Sequence, residues 1–346
     1  MRRHLNTLYV TTENAWLRKD GENVVIEVDG KERGRLPVHL LGGIVCFGAV
    51  GVTPALMGHC AARGVCMSIL GRNGRFLARV EGPVSGNVLL RRAQYRTTDD
   101  ADRTARLAGQ LVTGKLLNQR TVVRRALRDH GQSTTAKARD RLGACERRLS
   151  DAARRVGRAA STDTIRGIEG EAARHYYAVF GDLMRADGPQ FAFGGRSRRP
   201  PLDPANALLS FLYTLLVHDC RSALETVGLD PAVGYLHRER PGRPSLALDL
   251  MEELRPVLAD RIALSLINRR QLQGRDFETG VSGAVTMRDD ARKTVLVAYQ
   301  ERKKDELGHP FLKEKTTLGL VPFIQATLLA RHLRGDLDGY APFLWR

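Results

Sequence analysis

The sequence predicts an α+β protein: a small β-rich N-terminal domain at 1–82, a linker at 83–90, and a larger all-α domain at 91–346. Three observations carry this. Short β-branched and aromatic runs divided by Asp-Gly turns fill the first 80 or so positions. From residue 88 onward, leucines and valines recur at helical spacing with scarcely a strand signal. Between the two lies Gly82-Pro83-Val84-Ser85-Gly86, a run of structure breakers. At 346 residues the chain is long enough for each domain to bury its own core.

Leu8-Tyr9-Val10-Thr11-Thr12, Trp16-Leu17-Arg18, Val24-Val25-Ile26-Glu27-Val28 and Gly34-Arg35-Leu36-Pro37-Val38 read as strands. Asp20-Gly21 and Asp29-Gly30 are hairpin turn signals, so the first three or four strands are expected to form a meander. Ile44-Val45-Cys46-Phe47-Gly48 reads as a further strand. Thr53 then caps a helix over 54–63, with Pro54 at its first position. Extended structure resumes at 65–70 and 76–80, around Asn73-Gly74.

Residues 91–158 hold 18 Lys or Arg against 7 Asp or Glu, a net charge of +11, with Leu107, Leu111, Leu116, Val123 and Leu127 at helical intervals. Two or three amphipathic helices with a basic outer face follow. The next helix takes Thr162 as its N-cap and carries Ile165, Ile168, Ala172, Tyr176 and Val179 on its apolar side. A loop rich in Gly, Arg and Pro covers 187–204. An apolar helix then runs from near Asn206 to a Gly228 cap. Its most apolar stretch, 207–217, is too short to cross a bilayer, so no membrane role is expected. A helix opened by Pro244-Ser245 is expected to continue through Arg255-Pro256 with a kink, and helices over 289–304 and 318–334 finish the chain. There is no internal repeat.

The formal charge is +17, most of the excess being arginine, whose planar fork pairs with phosphate. Such a surplus attracts polyanions of any sequence. The five cysteines, Cys46, Cys60, Cys66, Cys145 and Cys220, are odd in number and include no Cys-x-x-Cys pair, and no apolar signal peptide precedes them. That usage implies a reducing cytoplasm.

Four residues stand out chemically. Glu169 falls on or beside the inward stripe of its helix, flanked by Gly167 and Gly170, which suit the close approach of a ligand or another backbone. A core arginine partner would explain the same carboxylate. His237 lies in a turn ahead of a helix on which Asp249 and Glu252, three apart, share a face, and Glu253 is four from Asp249. Like charges at this spacing repel, which a cation would relieve. Three acids and an imidazole suit magnesium or manganese better than zinc, cysteine being absent from the set. Spacing alone leaves a solvated acidic patch equally open.

Larger motifs link these residues. Gly167-Ile168-Glu169-Gly170 is followed by Ala172-Ala173 and Tyr176, then Pro200-Pro201-x-Asp203-Pro204-x-Asn206-Ala207-Leu208-Leu209-Ser210, Gly234-Tyr235-Leu236-His237, Gly242-Arg243-x-Ser245-Leu246-x-Leu248-Asp249-Leu250 and Arg255-Pro256. In order and spacing this set resembles the CRISPR spacer-acquisition integrase, the first-numbered CRISPR-associated protein, over essentially the whole chain. Leu5-Asn6-Thr7-Leu8-Tyr9-Val10 and Gly82-Pro83-Val84-Ser85-Gly86-Asn87 resemble its type I-C branch.

The resemblance implies a β-rich domain that forms a homodimer and a helical catalytic domain. It also implies metal-assisted joining of the 3′ ends of short captured DNA to the CRISPR repeat. Glu169, His237 and Glu252 become the metal ligands and Asp249 a supporting acid, with Glu253 a competitor for the last position. Implied partners are double-stranded DNA, a small ferredoxin-like protein (the second-numbered CRISPR-associated protein) and a further adaptation nuclease. Arg196, Arg198, Arg199 and Arg243 are candidates for phosphate contacts, and Tyr176 and Asn206 for supporting roles. Hydrolysis of branched DNA or RNA by the same residues, and a non-catalytic DNA scaffold, remain as alternatives.

The net +11 of residues 91–158 carries a first prediction. Affinity for duplex DNA should fall on the order of 10³-fold or more between about 50 and 200 mM salt, as measured by fluorescence anisotropy. A flat response would count against a backbone-reading surface.

Overall fold

The computed structural model describes residues 6–72, 74–82, 88–132, 134–185 and 189–345. The Leu5 end of the first branch motif, Asn73 of the Asn73-Gly74 turn, Pro83 through Asn87 with the first part of the expected linker, and the start of the 187–204 loop lie outside them. The chain divides into two units, Met1–Gly86 with Arg292–Lys303, and Asn87–Ala291 with Lys304–Arg346. A β-rich region is thus followed by a mostly helical one. Residues 292–303 group with the first unit, and Gln300 Nε2 donates to the Thr7 carbonyl at 3.5 Å.

The first unit holds two four-stranded sheets. Strands β1 (Asn6–Val10), β2 (Trp16–Asp20), β3 (Asn23–Val28), β4 (Lys31–Pro37), β5 (Leu41–Phe47) and β6 (Gly51–Val52) precede helix α1 (Pro54–Ala62); β7 (Cys66–Leu70) and β8 (Phe76–Val80) follow it. The meander is β2-β3-β4, antiparallel, with β6 added on its edge. β1 is not part of it. It pairs in parallel with β5 in the second sheet, of order β1-β5-β7-β8, a non-local pairing that turn signals do not encode. Thr53 caps α1 by accepting from the Leu56 N–H. Ala15, Leu17, Val24, Val38, Ile44, Cys46, Leu56 and Met67 form the buried core.

The second unit opens with α2 (Val88–Asp99), α3 (Ala101–His130), α4 (Ala136–Val156), α5 (Thr162–Ala178) and the short α6 (Phe180–Leu183). α3 packs against α4 and α5, burying Leu107, Leu111, Leu116 and Val123 from its own face and Leu142, Cys145, Leu149 and Val156 from α4. Of the Lys and Arg residues in 91–158, only Lys115 is buried among the described residues. The cap of α5 is Ser161, not Thr162, because the Ser161 hydroxyl accepts from the Thr164 N–H.

Helix α7 (Pro204–Val227) is capped by Asp203 and closed by Gly228 in the left-handed conformation, φ 86°. α8 (Ser245–Met251) stops at Met251 where a continuous helix was expected. A tight turn and a π-helical stretch, Arg255–Asp260, containing Pro256, separate it from α9 (Arg261–Asn268). The unit is not wholly helical. β9 (Phe277–Thr279) pairs with β10 (Val285–Met287), and β11 (Glu306–Gly308) with β12 (Lys315–Thr317), on either side of α10 (Asp289–Lys304); these hairpins are too short to show a period. α11 (Val321–Arg334) ends the helices. No helix of the described residues is long and apolar enough to cross a membrane.

Candidate active site

Asp249 builds the turn that carries His237. Its Oδ2 accepts from the Tyr235 N–H at 2.6 Å and the Leu236 N–H at 2.9 Å, and its Oδ1 from the His237 N–H at 2.9 Å. Only glycine fits at 234, where a Cβ would lie 2.8 Å from both Asp249 Oδ2 and Ser245 Cβ. The same carboxylate takes His237 Nδ1 at 2.6 Å. With the carboxylate accepting at Nδ1, that nitrogen carries a hydrogen, and Nε2 lies 3.7 Å from Glu252 Oε1. Two more ties hold the loop. Gln94 on α2 bonds Asp230 and Val233, and Arg166 on α5 donates to the Leu236 carbonyl at 2.5 Å.

Glu252 follows directly on the break in α8 and is buried. Arg255 approaches its Oε1 at 3.2 Å, and the Lys115 ammonium its Oε2 at 2.7 Å. Lys115 also donates to Glu169 Oε1, so one ammonium bridges two carboxylates from different elements. Burial opposes the charge of each group, but the attraction wins. The Arg255, Lys115 and His237 charges hold Glu252 well below the ordinary carboxylate range, and Glu252 and Glu169 hold Lys115 above the ordinary amine value.

α3 comes this close because residue 114 is glycine. A Cβ there would sit 2.9 Å from Pro342 Cβ and 3.1 Å from Glu253 Cβ. Glu253 faces away from Glu252's partners. It accepts from Gln325 Nε2 at 2.9 Å, the Phe343 N–H at 2.7 Å and the Tyr340 hydroxyl, and burial pushes its carboxyl up to about 7. Asn118, one turn beyond Lys115, bonds the Glu253 and Phe343 carbonyls and accepts from the Trp345 N–H, tying the chain's last residues to this turn.

The supporting candidates fall in different places. Tyr176 donates to Asp260 Oδ2 at 2.9 Å rather than to Glu169, and Tyr213 donates to Asp260 Oδ1 at 2.6 Å. Asn206 is buried and shapes the arginine loop by bonding Gly195, Asp203 and Ser197. Arg196 is occupied internally by the Ser197 carbonyl, Asn206 and Ser210, over the Tyr213 ring. Arg198 and Arg199 are exposed, and Arg243 is half-buried. Desolvation, then the charge of Arg240, lowers the Arg243 pKa, with smaller contributions from Arg199 and Arg166: a cluster of bases beside the His237 turn. Lys115, Gly114 and Asn118 escaped the sequence reading, although Leu111, Lys115, Asn118 and Val122 share helical spacing on the inward face of α3.

As the side chains stand, no three His, Cys, Asp or Glu among the described residues gather as a metal site. The reason lies in the geometry: the Lys115 ammonium stands between Glu169 and Glu252. The donor set itself fits a divalent cation. Two carboxylates already converge on one positive charge, and an imidazole nitrogen beside them has its second nitrogen fixed by a carboxylate, as in metal-ligating histidines.

The chain is thus a two-unit protein, a β-rich unit followed by a mostly helical one that holds buried Glu252 and Lys115 with His237 beside them. The chain belongs to the family described as CRISPR associated protein Cas1, whose sequence profile matches residues 8–301. A Rhodospirillum rubrum protein named CRISPR-associated endonuclease Cas1 2 is 60% identical over 100% of both chains. Among solved structures, a casposase bound to integration product matches with a TM-score of 0.84 at 22% identity, covering 99% of this chain and 94% of that one, a likeness of fold alone. A chain of a partial Cas6-RT-Cas1–Cas2 complex matches with a TM-score of 0.63 at 25% identity, covering 98% of each.

Burial raises the Asp260 carboxyl from 3.8 to about 6, against the hydrogen bonds of Tyr213 and Tyr176. A raised acid keeps a proton in the folded state that the unfolded chain has lost. Its stabilisation is therefore full below about 3.8 and declines as pH rises through about 6. Asp260→Asn should flatten that part of the curve of melting temperature against pH. An unchanged slope in the variant would refute the assignment.

Proposed function

We propose that this chain is a divalent-metal-dependent DNA integrase and endonuclease of CRISPR adaptation, joining the 3′ ends of short captured DNA to the CRISPR repeat. The observation that carries the reading is that one ammonium, Lys115, joins Glu169 and Glu252, with His237 Nε2 3.7 Å from Glu252 Oε1. It occurs in a chain 60% identical, end to end, to a protein named as a Cas1 endonuclease. Glu169, His237 and Glu252 would hold Mg²⁺ or Mn²⁺. Glu253 is set aside as a ligand because three donors already occupy its oxygens. Asp249 positions His237 and fixes its tautomer.

Bound there, the ion supplies a Lewis acid toward the reacting phosphodiester. In the joining step one P–O bond forms to the attacking 3′ oxygen and one breaks to the leaving 3′ oxygen, and the hydroxyl proton passes to the leaving oxygen through solvent. The protein's own work is alignment of the two DNAs. Arg198, Arg199 and Arg243 contact phosphate in this reading, and Arg196 holds their loop instead. The β-rich unit makes the homodimer and a small Cas2-like protein bridges dimers; for the Cas2-like partner, the support is that a matching chain comes from a complex named with Cas2. A further adaptation nuclease and the type I-C branch follow from the resemblance, and a reducing cytoplasmic setting from an odd cysteine count with no Cys-x-x-Cys pair.

Glu169→Ala should lower Mn²⁺-dependent joining of a labelled duplex to repeat DNA by about 10³-fold or more, while duplex affinity stays within a few-fold. Joining at the normal rate would refute the catalytic assignment. The relative's name, an endonuclease, favours one second reading, in which water replaces the 3′ hydroxyl as nucleophile. Cleavage of branched substrates with no joined product would select it.

The surface beside Glu169 supports nucleic-acid contact. A Cβ at Gly167 or Gly170 meets no atom within 4 Å, so this chain does not use the space that these glycines leave. Gly170→Ala should raise stability by up to about 1 kcal/mol in chemical denaturation, as for any helical glycine, and weaken duplex binding. Unchanged binding would remove DNA from this face.

A further inference from the structure

We propose that Lys115 is a resident cation of the centre, yielding its carboxylates to the divalent metal and thereby making metal binding depend on a nucleic-acid phosphate. The inference rests on the metal reading above. Its starting point is that Lys115 stands apart from every other base in 91–158: it is 4% exposed while the rest reach solvent. It is also placed with care. Gly114 lets the α3 backbone press against the Glu253 turn, and Asn118 ties that turn and the chain's end to the same helix. The result is an ammonium in contact with one oxygen of Glu169 and, at 2.7 Å, one of Glu252.

Charge bookkeeping turns this position into a function. Lys115 and Arg255 balance Glu169 and Glu252. Asp249 adds one negative charge, shared among three backbone N–H groups and the His237 ring. A divalent ion entering this set takes the two carboxylates from the Lys115 ammonium and leaves that charge without its partners in a largely buried place, where uncompensated charge is costly. One phosphodiester group carries the single negative charge that cancels it. The metal and a backbone phosphate therefore belong together, and either alone binds less well than the pair.

Side-chain chemistry fits the exchange. Lysine is a point charge on a flexible stem and can withdraw from the carboxylates toward an incoming phosphate oxygen. Arg255 cannot, since it is pinned between Glu252 and the Tyr213 ring, 4.9 Å from its centroid. If Lys115 were a fixed structural ion pair, removing it would loosen the centre and weaken metal binding. As a resident competitor, its removal strengthens metal binding.

The test is Mn²⁺ binding to the intact chain by electron paramagnetic resonance, with and without a short duplex whose 3′ ends are dideoxy-terminated so that no joining occurs. The wild type should bind Mn²⁺ weakly alone and about tenfold more tightly with the duplex. Lys115→Met should bind Mn²⁺ alone about tenfold more tightly than wild type and gain less from the duplex. Lys115→Gln should repeat this, separating charge from packing. Without metal both variants should melt below wild type, and Mn²⁺ should narrow or remove the difference. Mn²⁺ affinity equal to or below wild type in both variants would overturn the proposal in favour of a fixed ion pair. Glu169→Ala separates the two levels: unchanged Mn²⁺ binding there would sink the metal reading itself, whereas weakened binding alongside unimproved Lys115 variants would sink only the exchange.

Discussion

Burying Glu252 as a charge is the constraint around which the helical unit is arranged. A carboxylate out of contact with water costs several kcal/mol unless cations and donors surround it. Here the compensation comes from two directions, Arg255 on its own segment and Lys115 on α3. Arg255 lies three residues on, a spacing that also pairs side chains on a regular helix, whereas Lys115 comes from a separate helix. α8 stops at Met251, the backbone tightens so that the Glu252 N–H bonds the Asp249 carbonyl at 3.1 Å, and a π-helical stretch with Pro256 follows. π-helical turns often occur at functional sites. The glycine at 114 completes the arrangement from the other side.

Two adjacent glutamates here meet different surroundings, as neighbours about 100° apart around a helix axis do. In the turn, Glu252 meets Lys115, Arg255 and the His237 ring, whereas Glu253 meets Gln325, Tyr340 and the Phe343 N–H. Glu253 thus locks the C-terminal segment to α3 and the turn, and the rigidity that results is passed to its neighbour. Asp249 does the corresponding work for His237. The sequence shows like charges at helical spacing that a cation would relieve; in the fold Asp249 meets the His237 turn and Glu252 meets Lys115 and Arg255.

Local patterns in the chain were legible, and tertiary ones were not. Strand runs, the Thr53 cap, the Gly228 stop and the final helices show in neighbouring residues because capping and alternation act over a few positions. The parallel partnership of β1 with β5 joins segments about 35 residues apart, and nothing near Leu8 announces it. Glu169, His237, Asp249 and Glu252 were visible as acids and an imidazole in apolar settings. Lys115 was hidden by its company, one base in a strongly basic region, though its place between Leu111 and Val122 on the inward face carried the signal. Arg196 shows the opposite case, a base that reads as exposed and proves internally bonded.

Long-range and short-range electrostatics therefore divide the work. The exposed arginines and lysines of α2, α3 and α4 project a positive field that salt weakens, with a screening length of about 8 Å at physiological ionic strength. That field gathers phosphate without choosing among sequences. The centre is different: Glu169 and Glu252 are balanced by Lys115 and Arg255, so it exerts little pull of its own at a distance. A basic exterior around a balanced interior favours an order of events in which the DNA backbone arrives first by the surface field. The local exchange of one ammonium for a divalent ion then becomes favourable only where a phosphate already lies within reach.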